Sequence, residues 1–181
     1  MKKKRIPREA WARIRLFAMD VDGVLTDGTV SISSDGTESK RFAIIDGLGL
    51  VLLRDSGIEL AWISGRTSAT SSIRAAELKI PHVIQGRHDK LAALSSLAAG
   101  LGIPLRDCAY MGDDVVDAPA IAAAGIGIAV PTALPSALAA AAYVTRRLPG
   151  FGAVREVCDL LLEARRRSGG SRRTGRRTLP S

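Results

Sequence analysis

Short apolar runs alternating with longer helical patterns constrain this chain more than any other feature, because that order is the signature of a parallel α/β sheet. The clearest run, Phe17-Ala18-Met19, ends abruptly in Asp20-Val21-Asp22-Gly23-Val24-Leu25-Thr26-Asp27-Gly28. In an extended strand, residues two apart point to the same side, so Asp20 and Asp22 are expected to overhang the strand's C-terminal edge together. Two carboxylates this close repel unless a cation or a proton sits between them. The pattern asks for a metal, and Mg²⁺ is the hard, oxygen-seeking candidate.

The spacing predicts further strands over 59–64, 82–85, 108–111 and 126–130, after a first one over 15–20. Segments 28–33 and 38–43 flank Ser34-Asp35-Gly36-Thr37, and Asp-Gly there signals a hairpin. A helix over 46–56 is expected to turn Leu48, Val51 and Leu52 inward and to stop at Gly57. Thr67 is the expected N-cap of a helix to residue 79, and Asp89 of one over 90–99. A helix with Pro119 in its early turns follows Gly112-Asp113-Asp114, and helices over 133–142 and 151–166 complete the pattern.

Three strands thus end in chemically capable residues: Asp20/Asp22, Ser64 and Asp113/Asp114. Open parallel sheets bind ligands outside the C-terminal strand ends, so these residues should share one crevice. Four carboxylates beside an anionic substrate require a divalent cation, whose charge inverts the local electrostatics. Ser64, Gly65 and Arg66, at a strand-to-helix turn, offer a hydroxyl and backbone N–H groups to phosphate oxygens. Lys90, just after its cap, can neutralise charge on a transferring group. One carboxylate can then act as nucleophile and another as general acid/base.

At 181 residues the chain suits one domain. It lacks the run of roughly 18 apolar residues that a transmembrane helix needs. No uninterrupted apolar stretch follows its basic N-terminus, which argues against a secretory signal and for the cytoplasm. Cys108 and Cys158 have no His or Cys companions and read as buried small hydrophobes, in neither a zinc site nor a disulfide framework.

The net charge of +8 is carried by the two ends. Residues 1–15 hold seven Lys/Arg against one Glu, and residues 164–181 hold seven Arg and no acid, which leaves residues 16–163 at −5. Three parts are therefore expected: a basic extension over 1–12, the folded domain over 13–163, and an Arg-rich tail of disordered composition over 164–181. Such a tail can contact nucleic-acid phosphates. It has no interleaved aromatics for base stacking, and a solvated extension is the favoured reading.

Taken in order, the DxDG segment, the strand-end Ser, the Lys and Gly112-Asp113-Asp114 with Asp117 resemble the haloacid dehalogenase (HAD) phosphatase superfamily. Within it, Lys40-Arg41-Phe42, Asp46-Gly47-Leu48-Gly49, Ser56-Gly57-Ile58, Ile63-Ser64-Gly65-Arg66, Gln85-Gly86 with Asp89-Lys90, and Gly152-Ala153-Val154-Arg155-Glu156 are similar to the 3-deoxy-D-manno-octulosonate (KDO) 8-phosphate phosphatases. The likeness runs from about residue 13 to 163. It implies a three-layer Rossmann-like fold with a central parallel sheet, a β-hairpin inserted after the first strand and no cap domain. It further implies that Asp20 attacks phosphorus and that Asp22 is the acid/base. Mg²⁺ would be held by Asp20, Asp22 (through its backbone carbonyl) and Asp113, with Asp114 supporting, while Ser64, Gly65, Arg66 and Lys90 bind the phosphoryl group or its sugar. A homotetramer is implied, in which the hairpin of one subunit helps to cover a neighbour's site.

Departures from the family pattern are Ala43, Ile44 and Ile45, where Asn and Arg are common before Asp-Gly, and Phe151, where a small residue is commoner. By residue type alone, Asp46 is an N-cap or a sugar contact, Asp117 steadies the Asp113/Asp114 loop, and His82 and His88 have no ligand-like partners. The expectation is a Mg²⁺-dependent phosphatase acting on an acid-sugar phosphate. The alternatives are a 9-phosphorylated nonulosonate as substrate, or a non-catalytic assembly module.

Overall fold

The computed structural model describes residues 5–170. The elements run α1 (Arg8–Arg13), β1 (Leu16–Met19), β2 (Ser31–Ile32), β3 (Glu38–Ser39), α2 (Ile44–Asp55), β4 (Glu59–Ile63), α3 (Ala69–Glu77), β5 (His82–Ile84), α4 (Lys90–Gly100), a 3₁₀ turn (Leu105–Asp107), β6 (Cys108–Gly112), α5 (Ala118–Ala123), β7 (Ile126–Ala129), α6 (Pro135–Ala140), β8 (Tyr143–Val144) and α7 (Ala153–Gly170).

Six strands form one parallel sheet in the order β5-β4-β1-β6-β7-β8. Every residue of β1, β6 and β7 is buried, which is why these strands read as unbroken apolar runs rather than as alternating ones. Helices flank the sheet in two packed groups, α1 and α2 against α7, and α4 and α6 against α5. This is the three-layer α/β architecture expected. The one insertion between β1 and α2 is the antiparallel hairpin β2-β3, and no cap domain is present among the described residues.

The chain passes from β1 through β4 to β5 on one side, then crosses back to place β6 on the other. Met19 lies in register with Trp62 of β4 and Met111 of β6. The strand order therefore reverses at β1, and its C-terminal end opens between those of β4 and β6. That is where an α/β sheet forms its ligand crevice.

Several local expectations need correction. The hairpin pairs only two residues per strand, because Ser31, Ile32 and Ser39 are exposed and no core face extends the ladder. Its turn is as read, with Gly36 at φ +83° and Asp35 Oδ1 accepting from Thr37 N at 2.9 Å. Ser68, not Thr67, caps α3, accepting from Ser71 N at 3.2 Å. Residues 8–13, assigned mainly to a basic extension, form α1, and Trp11 packs edge-on to Tyr143 at 5.5 Å. Residues 164–170, assigned to the tail, continue α7; residues 1–4 and 171–181 lie outside the described residues.

The inward face of α2 is also different from the one read. Leu48 and Leu52 are 51% and 42% exposed, and the buried face is Asp46, Gly47, Gly49, Leu50 and Leu53. A Cβ at Gly49 would stand 2.8 Å from Arg155 Cδ and 3.3 Å from Arg155 Cα, so glycine lets α7 approach α2 closely. Asp46 serves this contact. It neither caps its own helix, whose N-cap is Ala43, nor stands free for a sugar. Its carboxylate accepts from Gly152 N at 3.1 Å and Arg155 N at 2.7 Å, so it caps α7 from across the sequence. Asp46→Ala should therefore cost about 1–2 kcal/mol and lower the melting temperature by about 2–8 °C, as differential scanning calorimetry would measure.

Candidate active site

Asp20 follows the last residue of β1, and its N–H donates to Met111 O at 2.9 Å, so the sheet ladder fixes its backbone. Its Oδ1 accepts from Val21 N at 2.7 Å and faces Lys90 Nζ at 2.9 Å. Lys90 is the first residue of α4, where Asp89 accepts from Ala92 N at 2.9 Å as the expected cap. The lysine is only 1% exposed. It also donates to Ile63 O at 2.5 Å and lies 3.7 Å from Asp117 Oδ1. A buried ammonium is tolerable only with such partners.

Asp22 does not share that environment. The strand ends at Met19, and Val24, Leu25 and Thr26 all turn their N–H groups back onto Val21 O. The alternation of an extended strand therefore stops before Asp22. Its carboxylate pairs instead with Lys40 Nζ at 2.7 and 3.0 Å, and Arg66 Nε stands 4.0 Å away. The expected side-by-side placement of the two carboxylates is thus not formed: each has its own lysine.

The carboxylates that do crowd together are those of Asp20, Asp113 and Asp117, with oxygens within 4.8 Å of one another. Asp117 is fully engaged in the protein. One oxygen accepts from Tyr110 OH at 2.7 Å, the other from Asp113 N and Asp114 N at 3.1 Å each. It steadies the loop, as expected. Asp113 Oδ1 is buried without a hydrogen-bond partner. Burial, then the charge of Asp117, pushes the carboxyl of Asp20 up to about 6. The same causes, with Asp20 and Asp114 added, push Asp113 up to about 7. An orphaned buried carboxylate oxygen among like charges fits a hard divalent cation, which would favour the ionised forms. Asp20 and Asp113 could hold it. Asp22, named with them from sequence, could add only its backbone carbonyl, since its carboxylate lies outside the cluster. Asp114 bonds its own loop through Val115 N.

Ser64, 3% exposed, follows β4 with its N–H on Ile84 O at 2.8 Å, and its Oγ accepts from Arg66 N at 3.1 Å. Helix α3 begins only at Ala69, so Ser64 and Gly65 present a loop rather than a helix N-terminus. A Cβ at Gly65 would stand 3.1 Å from His88 Nδ1, which places that histidine against the loop. His82 is remote from this chemistry, pairing with Glu59 at 3.0 Å. Arg66 is half exposed and donates to Glu38 Oε2 at 2.9 Å. The structure brings Lys90, Asp20 and Asp113 together, and Ser64 follows Ile63, whose carbonyl Lys90 meets. The sequence reading left Lys40 without a role, since a lysine in a polar hairpin looks like any solvated one.

Phe151 is exposed beside a recess of about 270 Å³ shared with Asp27, Arg41, Phe42, Ala43 and Gly150, and the Arg41 guanidinium stands 6.0 Å over its ring. The two cysteines are buried and free, and burial raises both thiols, Cys108 to about 11. They are inert.

The chain is similar to known proteins along most of its length. The KDO 8-phosphate phosphatase KdsC of Escherichia coli (strain K12) is 46% identical over 151 residues, 83% of this chain and 80% of that protein. The chain belongs to the KDO 8-phosphate phosphatase family of haloacid dehalogenase-like hydrolases. A haloacid dehalogenase-like hydrolase family model matches residues 63–152, which hold Ser64, Lys90 and Asp113. The crystal structure of a family member from Moraxella catarrhalis, in complex with magnesium, phosphate and KDO, is 49% identical with a TM-score of 0.87. It covers 92% of this chain and 96% of that one. The cobalt-bound phosphatase from Haemophilus influenzae is 38% identical with a TM-score of 0.83, covering 88% of this chain and 93% of its own.

Gly23, at φ +81°, is the tightest constraint on the family's DxDG turn here, since a Cβ would stand 2.1 Å from Asp113 Oδ2. Gly23→Ala should displace Asp113 and weaken Mg²⁺ binding at least about tenfold, as changes to the groups that orient a metal ligand do; isothermal titration with Mg²⁺ measures this directly.

Proposed function

We propose that this chain is a Mg²⁺-dependent phosphoric monoester hydrolase that converts KDO 8-phosphate to KDO and phosphate. The observation that carries this is the buried Lys90–Asp20 pair beside the orphaned Asp113 oxygen, in a chain matching KDO 8-phosphate phosphatases along most of its length. A sugar with a phosphate monoester and a carboxylate suits a crevice that carries the buried Lys90 and the half-exposed Arg66. A 9-phosphorylated nonulosonate has no comparable support. A purely structural module would have no use for a buried lysine on a strand-end aspartate.

In this reading Asp20 attacks phosphorus while the bond from phosphorus to the sugar oxygen breaks. The electron pair of that bond leaves on the sugar oxygen, which takes the proton of the Asp22 carboxyl group. A water then attacks phosphorus and gives its proton to Asp22. The aspartyl-phosphate bond breaks with its electron pair returning to Asp20, and inorganic phosphate leaves. Lys90, Ser64 and the Gly65 backbone bind the phosphoryl oxygens, and Arg66 reaches the sugar. Asp20, Asp113 and the Asp22 carbonyl would hold Mg²⁺, which when bound would supply positive charge against the phosphoryl oxygens. Asp114 and Asp117 keep the Asp113 loop in place.

A homotetramer accords with the apolar surface of α2, where Ile44, Ile45, Leu48 and Leu52 are all at least 41% exposed. Contiguous exposed apolar side chains mark protein–protein contacts. No helix among the described residues is long and apolar enough to cross a membrane, and we place the enzyme in the cytoplasm. The proposed domain runs over 13–163 with α1 packed on it, and of the Arg-rich tail residues 164–170 continue α7 while 171–181 lie outside the described residues.

Phosphate release from KDO 8-phosphate with Mg²⁺ tests the activity. Asp20→Asn should lower kcat by at least about 10³-fold, as removal of a nucleophile does, and full activity in that variant would overturn the reading. Multi-angle light scattering should give a mass four times that of one chain.

A further inference from the structure

Lys40 belongs to a segment shared with the family but has no part in the reaction above, yet its side chain is completely buried. Its ammonium meets both Asp22 oxygens, at 2.7 and 3.0 Å, with Ser71 Oγ at 3.3 Å and Glu38 Oε1 at 3.8 Å. The backbone that carries it is anchored. Glu38 accepts from Ser68 Oγ at 2.5 Å and Arg66 Nη2 at 2.9 Å, and its carbonyl accepts from Thr70 Oγ1 at 3.2 Å. The hairpin's β3 end is thus tied into its own subunit's site through α3 and the loop before it. Apart from Lys40, the nearest cation to Asp22 among the described residues is Arg66 at 4.0 Å, half exposed and committed to Glu38.

We propose that Lys40 is the positioning residue for Asp22: anchored through the hairpin, it holds the carboxyl group where the leaving oxygen of the substrate will stand. The assignment rests on Asp22 being the acid/base. Asp22 lies in a turn beyond the strand, and without a partner its carboxyl can swing about two side-chain torsions. A general acid must stand within hydrogen-bond reach of the atom it protonates. Lys90 performs the matching task for Asp20, so the site divides its two aspartates between two buried lysines, one from α4 and one from the hairpin.

This role has a signature that a merely structural one lacks. A sugar alkoxide is a poor leaving group and needs its proton, whereas p-nitrophenolate leaves without one. In Lys40→Met, the single-turnover rate of KDO release from KDO 8-phosphate should fall on the order of 10²-fold, the lower range for lost general acid catalysis. With p-nitrophenyl phosphate, the single-turnover rate of p-nitrophenolate release, which precedes the water attack that also uses Asp22, should change by no more than about threefold, since nothing made in that transition state is removed. The ratio of the two rates on one sample does not depend on how much of it is folded. Lys40→Arg, which keeps charge and reach, should restore most of the lost ratio, and KM for KDO 8-phosphate should stay within about threefold of the parent.

Asp22→Asn is the companion measurement. If it shows the selective loss and Lys40→Met slows both substrates alike, the Lys40 assignment is overturned and the acid/base reading stands. If Asp22→Asn itself slows the single-turnover release of both leaving groups alike, the reading and the assignment fall together. A Lys40→Met variant with raised KM and unchanged kcat would make Lys40 a substrate contact and overturn the proposal.

Discussion

The buried ammonium of Lys90 is the interaction on which the rest of the site depends. It stands at the start of α4 and reaches the end of β1 through Asp20, the end of β4 through the Ile63 carbonyl, and the β6 loop through Asp117. An ammonium removed from water is costly unless donors and acceptors are matched. That cost is offset only when three strand ends and a helix start converge. The parallel order β4-β1-β6 supplies the convergence, because the crossover reverses at β1. The fold and the site satisfy one condition together.

Charge is distributed around that lysine with economy of contact. Asp117 is fully buried and spends both oxygens on Tyr110 and the backbone of Asp113 and Asp114, so it shapes the loop. The loop in turn aims Asp113 at Gly23, where no side chain fits. What remains is an unpartnered carboxylate oxygen beside Asp20, both groups pushed toward their neutral forms by burial and like charge. A divalent cation held there would relieve that repulsion, away from the Asp22 carboxylate.

Sequence periodicity was a reliable guide where burial is complete and symmetric, and a poor one elsewhere. The runs at β1, β6 and β7 are apolar throughout because both faces are covered. On α2 the apolar stripe misled, because close approach to α7 is made by Gly49 and Asp46, with Gly47 against Arg74 and Leu78, leaving Leu48 and Leu52 outside. Helix contacts made by small residues carry no hydrophobic signal. Asp46 and Lys40 were opaque for a related reason. Each bonds groups far along the chain, Gly152 and Arg155 for one and Asp22 for the other, and local pattern holds no record of such distances.

The sequence by itself determined the parallel α/β class, the strand ends that carry Asp20, Ser64 and Asp113, and the oxygen-rich chemistry that wants a hard cation. These follow from local rules: apolar runs bury, polar residues end them, and strand ends of such sheets face the crevice. Only the tertiary structure decided how the charges are shared. It gave Asp20 to Lys90 and Asp22 to Lys40, withdrew Asp117 into the loop, and left Asp113 facing Asp20. The reason is that electrostatic pairing depends on distance in space, and the turn after Met19 and the hairpin's anchorage set those distances beyond the reach of any local period.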